Sequence, residues 1–141
     1  MSTAFITTRR VEFSDTDAAG IIHFVAFFRM MEQAEHDLLR SVGLSVISHD
    51  GEGVMSWPRI AAKCEFRSAA RFEDVLQIEV RITRLGKTSI TFAHRITHGD
   101  REIASGEITT VCCRMHAGAP PQSMPIPAAI VEKLRPFVAG T

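Results

Sequence analysis

Two carboxylates and a glycine stand where a strand-like segment changes into a helix-like one. The turn comprises Asp15, Thr16, Asp17 and Gly20. Asp and Thr side chains bond the local backbone in turns, and glycine accepts a positive φ at little cost. The helix predicted from about Phe24 would begin with unpaired N–H groups and about half a positive charge. Asp17 is therefore a candidate nucleophile or base beside a site that polarises a carbonyl. The plainer interpretation is that both carboxylates only cap and turn the chain.

An apolar stripe predicts the helix that follows this turn. Its members recur at spacings of three and four, so they share one helical face. The stripe consists of Phe24, Phe27, Phe28, Met31, Ala34, Leu38 and Val42. Gly43 is predicted to lie just past the helix C-terminus. A helix of about twenty residues spans roughly 30 Å. Such a helix needs a sheet or other helices to cover it.

The sequence D-T-D-A-A-G-I-I-H-F, preceded by V-E-F and followed by the striped helix, carries a family resemblance. It resembles the hot-dog-fold acyl-CoA thioesterases, and looks most like the 4-hydroxybenzoyl-CoA thioesterase branch and its Tol–Pal-associated relatives. The similarity runs from about Arg10 to Arg114 and is strongest over Val11–Gly43. It implies that Asp17, the second acid of D-x-D, is the catalytic carboxylate. It also implies that the backbone N–H of Phe24 holds the thioester carbonyl.

His23 is the third catalytic candidate. Its ordinary pKa lies near neutrality, so it could polarise the thioester or protonate the leaving thiolate. It could equally be a polar residue that lines the turn at the helix N-terminus. The family often has Asn where this chain has Ala26, so no role of that Asn side chain is carried over.

Further residues are candidates for binding the substrate: Gly20, Glu32, Trp57, Arg59, Arg84 and Lys87. Glu32 would bond a polar acyl tail or pair on the surface with His36, which is expected to face solvent. Trp57 would line the acyl pocket or belong to the core. The family often places basic residues on the strand pair around Arg84 and Lys87, where they meet the phosphates of coenzyme A. For Arg59, as for these two, the alternative is an ordinary solvated surface charge.

The composition limits the possible classes of protein. The 141 residues predict one domain, 1–141, with 45% hydrophobic and 23% charged residues. Sixteen basic and sixteen acidic residues cancel, so neither nucleic acid nor a membrane surface is an expected partner. No apolar run is long enough to predict membrane insertion. Three cysteines and no C-x-x-C pair fit a reducing cytoplasm. The scattered histidines predict no metal site, and no cofactor is expected, since coenzyme A would be part of the substrate.

The order of elements predicts an α+β architecture. Short turns between the later strands make them antiparallel neighbours. The predicted strands are Ala4–Phe13, Val54–Phe66, Val75–Arg84, Thr88–Thr97 and Glu102–Arg114, with loops at Ser45–Gly53 and Ala117–Pro127 and a terminal helix at Pro127–Leu134. Gly106 marks either a bulge or a close packing contact. The resemblance names this arrangement the hot-dog fold, about five strands wrapped around one long central helix. Because one helix covers only part of such a sheet, a homo-oligomer is expected, a dimer or a tetramer.

Three functions follow from these patterns. The leading hypothesis is an acyl-CoA thioesterase that hydrolyses an aromatic or short-chain acyl-CoA to a carboxylic acid and CoA. A hydratase or dehydratase of the same fold would need a histidine with an acidic partner in a dry pocket. His23-Phe24 matches the start of the H-F-P motif of acyl-carrier-protein dehydratases, but Val25 replaces the proline. A non-catalytic acyl-CoA-binding module would keep its affinity when Asp17 is replaced.

Overall fold

One long helix packs on an antiparallel sheet in the computed structural model, which describes residues 3–140. The strands are β1 (Phe5–Arg10), β2 (Ser48–Asp50), β3 (Gly53–Ser56), β4 (Arg59–Phe66), β5 (Val75–Leu85), β6 (Ser89–His98), β7 (Arg101–Val111), β8 (Cys113–Met115) and β9 (Gln122–Ser123). The helices are α1 (Phe24–Ser41) and α2 (Ala128–Leu134), with short 3-10 turns at Phe13–Asp15 and Arg135–Phe137. The main sheet has the order β1-β5-β6-β7-β4, and β2-β3-β8-β9 form a second sheet. The predicted α+β class with antiparallel sheets and one main helix is confirmed.

Helix α1 begins and ends where the sequence predicts. Gly43 follows its C-terminus with φ 78°, and the Leu44 N–H donates to the Leu39 carbonyl at 2.8 Å, which closes the last turn. The buried face differs in part from the predicted stripe. Met31 is fully buried, whereas Phe24 is 57% exposed. The first residue of the helix therefore lies at the surface, in contact with solvent.

Alternation along β5 places one face of the main sheet against α1. Leu76, Ile78, Val80 and Ile82 are each 0% exposed, as their alternation with polar residues predicts. The strand pairs in antiparallel register with β1 on one side and β6 on the other. This face and the helix together enclose the core.

The strand count is larger than predicted. About five strands were expected, and the main sheet has five, but the four-stranded second sheet was not predicted. Its strands are only two to four residues long, too short for an alternating pattern to be visible. Two of them lie in the expected loops. At the other end of the chain β1 stops at Arg10, because Phe13 already belongs to a 3-10 turn.

Gly106 allows the helix to approach the sheet closely. Pairing on both sides runs through this residue without a shift, so the bulge alternative is wrong there and the close-contact alternative is right. A Cβ atom at this position would lie 2.5 Å from Met31 Cε and 2.6 Å from the Lys63 carbonyl oxygen.

Within residues 3–140, neither helix combines the length and hydropathy that crossing a bilayer requires.

Candidate active site

The turn before α1 fixes Asp17 through one of its two carboxylate oxygens. Its Oδ1 accepts a hydrogen bond from the Ala19 N–H at 2.9 Å. The turn is closed by the Gly20 N–H, which donates to the Asp17 carbonyl at 2.9 Å, with Gly20 at φ 79°. Among the described residues none donates a hydrogen bond to Oδ2. This oxygen is therefore available to a substrate or to water.

Asp15, the first acid of the motif, is occupied by the protein itself. Its Oδ2 accepts from the Glu12 N–H at 2.9 Å, and its Oδ1 lies 3.0 Å from Arg29 Nη2. The capping interpretation therefore applies to Asp15. Of the two carboxylates, only Asp17 keeps an oxygen for chemistry.

The first turn of α1 leaves one backbone donor open. The Val25 N–H donates to His23 Nδ1 at 3.3 Å, and the Ala26 N–H donates to the His23 carbonyl at 2.9 Å. The Phe24 N–H meets no acceptor among the residues described. Such an N–H, at the positive end of a helix, is suited to hold a carbonyl oxygen as it gains charge. This is the donor that the resemblance implies.

His23 is the polar residue at the helix N-terminus that one of the two sequence interpretations expected, and its catalytic role stays a prediction. Its Nδ1 caps the helix as an acceptor, so the proton of the neutral ring lies on Nε2. The ring contacts that of Phe24, with 4.7 Å between centroids. The side chain is exposed, which leaves Nε2 able to donate to a group at the helix N-terminus.

Asp17 and Phe24 line one cleft of about 360 Å³. Its other lining residues are Ile21, Ile22, Phe27, Phe66, Arg67, Ser68 and Ala69. Phe66 forms an apolar wall, with its ring centroid 6.4 Å from that of Phe24 and 5.5 Å from that of Phe27. A residue with an open carboxylate oxygen and a residue with an open N–H therefore line the same cleft between apolar walls.

Glu32, Arg59 and Trp57 lie further along α1. Arg59 Nε is 3.3 Å from Glu32 Oε2, so Glu32 pairs with Arg59 and not with His36 as expected. His36 is only partly exposed, and its Nε2 is buried. Trp57 is 8% exposed and lines a small inner cavity beyond Arg59. Arg59 is an ion-paired residue and not a solvated charge.

Arg84 and Lys87 lie at the β5–β6 turn, away from the cleft. The Asp17 turn bonds to the segment before β5, where Ile22 N–H donates to the Ala70 carbonyl at 2.8 Å. Arg84 lies near the opposite end of that strand, roughly 30 Å away at about 3.3 Å per residue. One chain does not bring these two residues to Asp17. Their contact with coenzyme A stays a prediction.

Sequence reasoning missed Glu35. The side chain is 2% exposed and lies between Arg59 and His94. The signal was present in the sequence, because Glu35 falls on the apolar stripe between Met31 and Leu38. A carboxylate at such a position indicates a buried partner.

A carboxylate and an open helix N-terminus at one apolar cleft of an α+β fold suit acyl transfer, in which a nucleophile or base and a donor to the carbonyl oxygen are both needed. A sequence model of the thioesterase-like superfamily matches residues 11–134, so the chain belongs to this family. The predicted hot-dog thioesterase resemblance and the predicted thioester hydrolase are thereby confirmed at family level.

Three relatives support this assignment. A putative esterase of Aquifex aeolicus is 30% identical over 131 residues, which are 93% of this chain and 98% of that protein. The acyl-CoA thioester hydrolase YbgC of Escherichia coli is 27% identical over 117 residues, covering 79% of this chain and 83% of YbgC. The solved structure of a gentisyl-coenzyme A thioesterase superposes with a TM-score of 0.79 at 28% identity, covering 92% of this chain and 98% of the other.

Proposed function

We propose that this protein hydrolyses an aromatic or short-chain acyl-CoA to a carboxylic acid and CoA, within a hot-dog fold. The observation that carries the proposal is that one cleft is lined both by Asp17, whose Oδ2 accepts no described hydrogen bond, and by Phe24, whose N–H meets no described acceptor. Two of the three relatives are an acyl-CoA thioester hydrolase and a gentisyl-coenzyme A thioesterase by name. A small aromatic acyl group suits walls made of Phe24, Phe27 and Phe66.

The proposed reaction begins with the thioester carbonyl oxygen on the Phe24 N–H. In the nucleophilic route, Asp17 Oδ2 attacks the carbonyl carbon and the C–S bond breaks, which leaves a mixed anhydride and the CoA thiolate. Water then hydrolyses the anhydride. In the general-base route, Asp17 takes a proton from water as the water oxygen attacks the carbonyl carbon directly, and the C–S bond then breaks to release the carboxylic acid and the CoA thiolate. In both routes the proposed role of His23 Nε2–H is to protonate the departing thiolate.

The other two functions have less support. A hydratase or dehydratase needs a histidine paired with an acid at the cleft, and among the described ion pairs His23 has no carboxylate partner. The described pair of that kind, His94 with Glu35, is buried outside the cleft. A module that only binds acyl-CoA would not need a carboxylate oxygen, such as Asp17 Oδ2, that is free to react.

We further propose that the active protein is a homo-oligomer, a dimer or a tetramer. Strand β4 is one edge of the main sheet, and its Ile60 and Phe66 are 65% and 53% exposed. An apolar edge strand offers unpaired backbone groups to a second chain.

The free thiols Cys64, Cys112 and Cys113 fit the cytoplasm as the compartment.

The test is hydrolysis of acetyl-, butyryl-, hexanoyl-, palmitoyl-, benzoyl-, 4-hydroxybenzoyl- and phenylacetyl-CoA by the wild-type protein and its Asp17→Asn variant. Loss of a positioned acid–base group is expected to lower turnover by roughly 10²–10⁴-fold. The matched control is Asp100→Asn, an exposed acid in the β6–β7 turn, which should keep wild-type rates. Full turnover in Asp17→Asn would reject the mechanism. Binding of CoA esters without turnover by the wild type would favour the binding module.

A further inference from the structure

A β-bulge in β4 turns Arg59 toward α1. The pairing with β7 matches Ala62 with Ile108, Ala61 with Thr109, and Arg59 with Thr110, so Ile60 is the extra residue. Ile108 and Thr110 are both buried, which places Arg59 and Ala62 on the inner face of the strand. Without the bulge, alternation from Ala62 would turn Ile60 inward instead. Bulges commonly re-aim a side chain in this way beside functional sites.

The inward Arg59 is anchored by the buried Glu35, which in turn lies against the buried His94. Its Nη1 donates to Glu35 Oε1 at 2.7 Å, and Glu35 is 2% exposed. Glu35 Oε2 lies 2.7 Å from Nε2 of His94, whose side chain is 0% exposed, although the ring N–H is not aligned for a hydrogen bond. Apolar residues of similar volume often replace buried ion pairs with no loss of stability. Stability alone therefore does not account for this cluster.

Arg59 separates two spaces along the helix. On one side lies a groove of about 240 Å³, lined by Phe28, Arg29, Glu32, Arg59, Ala62 and Ile108. The groove lies further along the same helical face as the Asp17 cleft, because Phe24 of the cleft and Phe28 and Glu32 of the groove are four residues apart. On the other side lies an inner cavity of about 10 Å³, room for about one water molecule.

The inner cavity is lined mainly by apolar side chains, among them Leu39, Val46, Trp57, Ile90 and Phe92. Arg59 lines this cavity as well as the groove, so its side chain is the partition between them. With Arg59 in place the cavity is too small for a methylene chain, but its apolar walls would line the space that opens when the Arg59 side chain is displaced or removed.

We propose that Arg59 is the residue that limits acyl length, and that Glu35 and His94 are positioning residues that hold it in place. The proposal rests on the proposed function. Glu32 lies eight residues beyond Phe24, roughly 12 Å along the helix at about 1.5 Å per residue. A hexanoyl or benzoyl group held at Phe24 ends before the partition, whereas a palmitoyl group must displace an arginine that is fixed by a buried carboxylate.

The experiment measures binding of butyryl-, hexanoyl-, decanoyl- and palmitoyl-CoA by titration calorimetry in an Asp17→Asn background. With Arg59 intact, hexanoyl-CoA should bind at least about tenfold more tightly than palmitoyl-CoA, the low end of what a closed pocket discriminates. If this protein, with Arg59 intact, bound the two esters equally tightly, the proposal would be overturned before any Arg59 variant is made.

Removal of the partition is the second arm. Arg59→Ala alone leaves Glu35 unpaired and buried, so it is combined with Glu35→Gln to keep the fold. The double variant should move the palmitoyl-to-hexanoyl affinity ratio at least about tenfold toward palmitoyl. An unchanged ratio in a folded double variant that still binds hexanoyl-CoA would reject Arg59 as the limit.

Three further variants separate positioning from folding. Arg59→Lys should restore the preference for short chains, because its ammonium can still pair with Glu35. Glu35→Gln alone should shift the palmitoyl-to-hexanoyl affinity ratio partway toward palmitoyl, with hexanoyl affinity unchanged. If the ratio does not shift, Glu35 does not position Arg59. The matched control is Arg114→Ala, which removes a largely buried arginine paired with Asp50 at 2.9 Å, outside the groove, and should leave the ratio unchanged. Wild-type protein that hydrolyses no ester would refute the proposed function, while the affinity ratios still decide the role of Arg59.

Discussion

At the scale of single residues, the environment of the cysteines predicts low thiol reactivity. Burial, together with the nearby Glu65 carboxylate, raises the pKa of Cys64 to about 11. Burial also raises the pKa of Cys112 to about 11, with a further contribution from Cys113. A thiol is nucleophilic only as the thiolate, and a shift of this size lowers the thiolate fraction about a hundredfold at neutral pH.

We therefore expect iodoacetamide to alkylate the native protein far more slowly than the urea-unfolded chain, followed by mass spectrometry over time. The folded state holds these two thiol protons more tightly than the unfolded chain does. Their contribution to the free energy of unfolding is therefore complete below about pH 9 and is lost as the pH rises through about 11. Rapid alkylation of Cys64 or Cys112 under native conditions would show that these thiols are less buried than described.

Some residues of the candidate site could be predicted from the sequence, and others could not. Asp17, His23 and Phe24 lie within one turn and its helix, so their spacing in the chain already fixes their spacing in the molecule. The link from Glu35 to Arg59 and His94 joins residues 24 and 59 positions apart, and it depends on a bulge that moves Arg59 to the inner face. Local patterns carry no information on such a contact.

At the scale of elements, Gly106 sets how closely α1 packs on the sheet. Gly106→Ala would place a methyl group 2.6 Å from the backbone oxygen of Lys63, which cannot move aside as a flexible side chain can. We expect a loss of about 1–3 kcal/mol in the free energy of unfolding, the usual cost of an overpacked core. The measurement is urea denaturation followed by circular dichroism.

The control for this substitution is Gly51→Ala in the β2–β3 turn, where an added Cβ would have no heavy atom within 4 Å. It should leave the urea midpoint nearly unchanged. Equal stability of the two variants would mean that α1 can shift away from the sheet at little cost, and that the close approach at Gly106 is not needed.

Helix α1 and the long strands could be predicted because each is amphipathic over many residues. The 3.6-residue stripe and the alternation along β5 repeat often enough to be read from one sequence. The second sheet could not, because β2 and β9 are three and two residues long. Such strands exist only through pairing with distant segments, as β3 does with β8. Their positions are fixed by tertiary contacts and not by local sequence.

At the scale of the whole molecule, the two edges of the main sheet differ in chemistry. Edge β1 presents Thr8, Arg9 and Arg10, and polar or charged residues on an edge discourage pairing with another chain. Edge β4 presents Ile60 and Phe66 with large exposed surfaces. The cleft that holds Asp17 opens beside Phe66. Association along β4 would therefore cover the apolar edge and add walls to the cleft in one step.

The contrast between the two edges gives a matched pair of substitutions. Ile60 on β4 and Ile6 on β1 are 65% and 53% exposed, so both can become lysine without burying a charge in the monomer. If β4 forms the interface, Ile60→Lys places like charges together across it and should convert the protein to monomers, whereas Ile6→Lys should not. Light scattering coupled to size-exclusion chromatography measures the mass of each. Turnover should fall in Ile60→Lys and not in Ile6→Lys, because dissociation along β4 removes the part of the cleft wall that the second chain supplies. Two variants of equal mass, both oligomeric and both active, would place the interface on another surface.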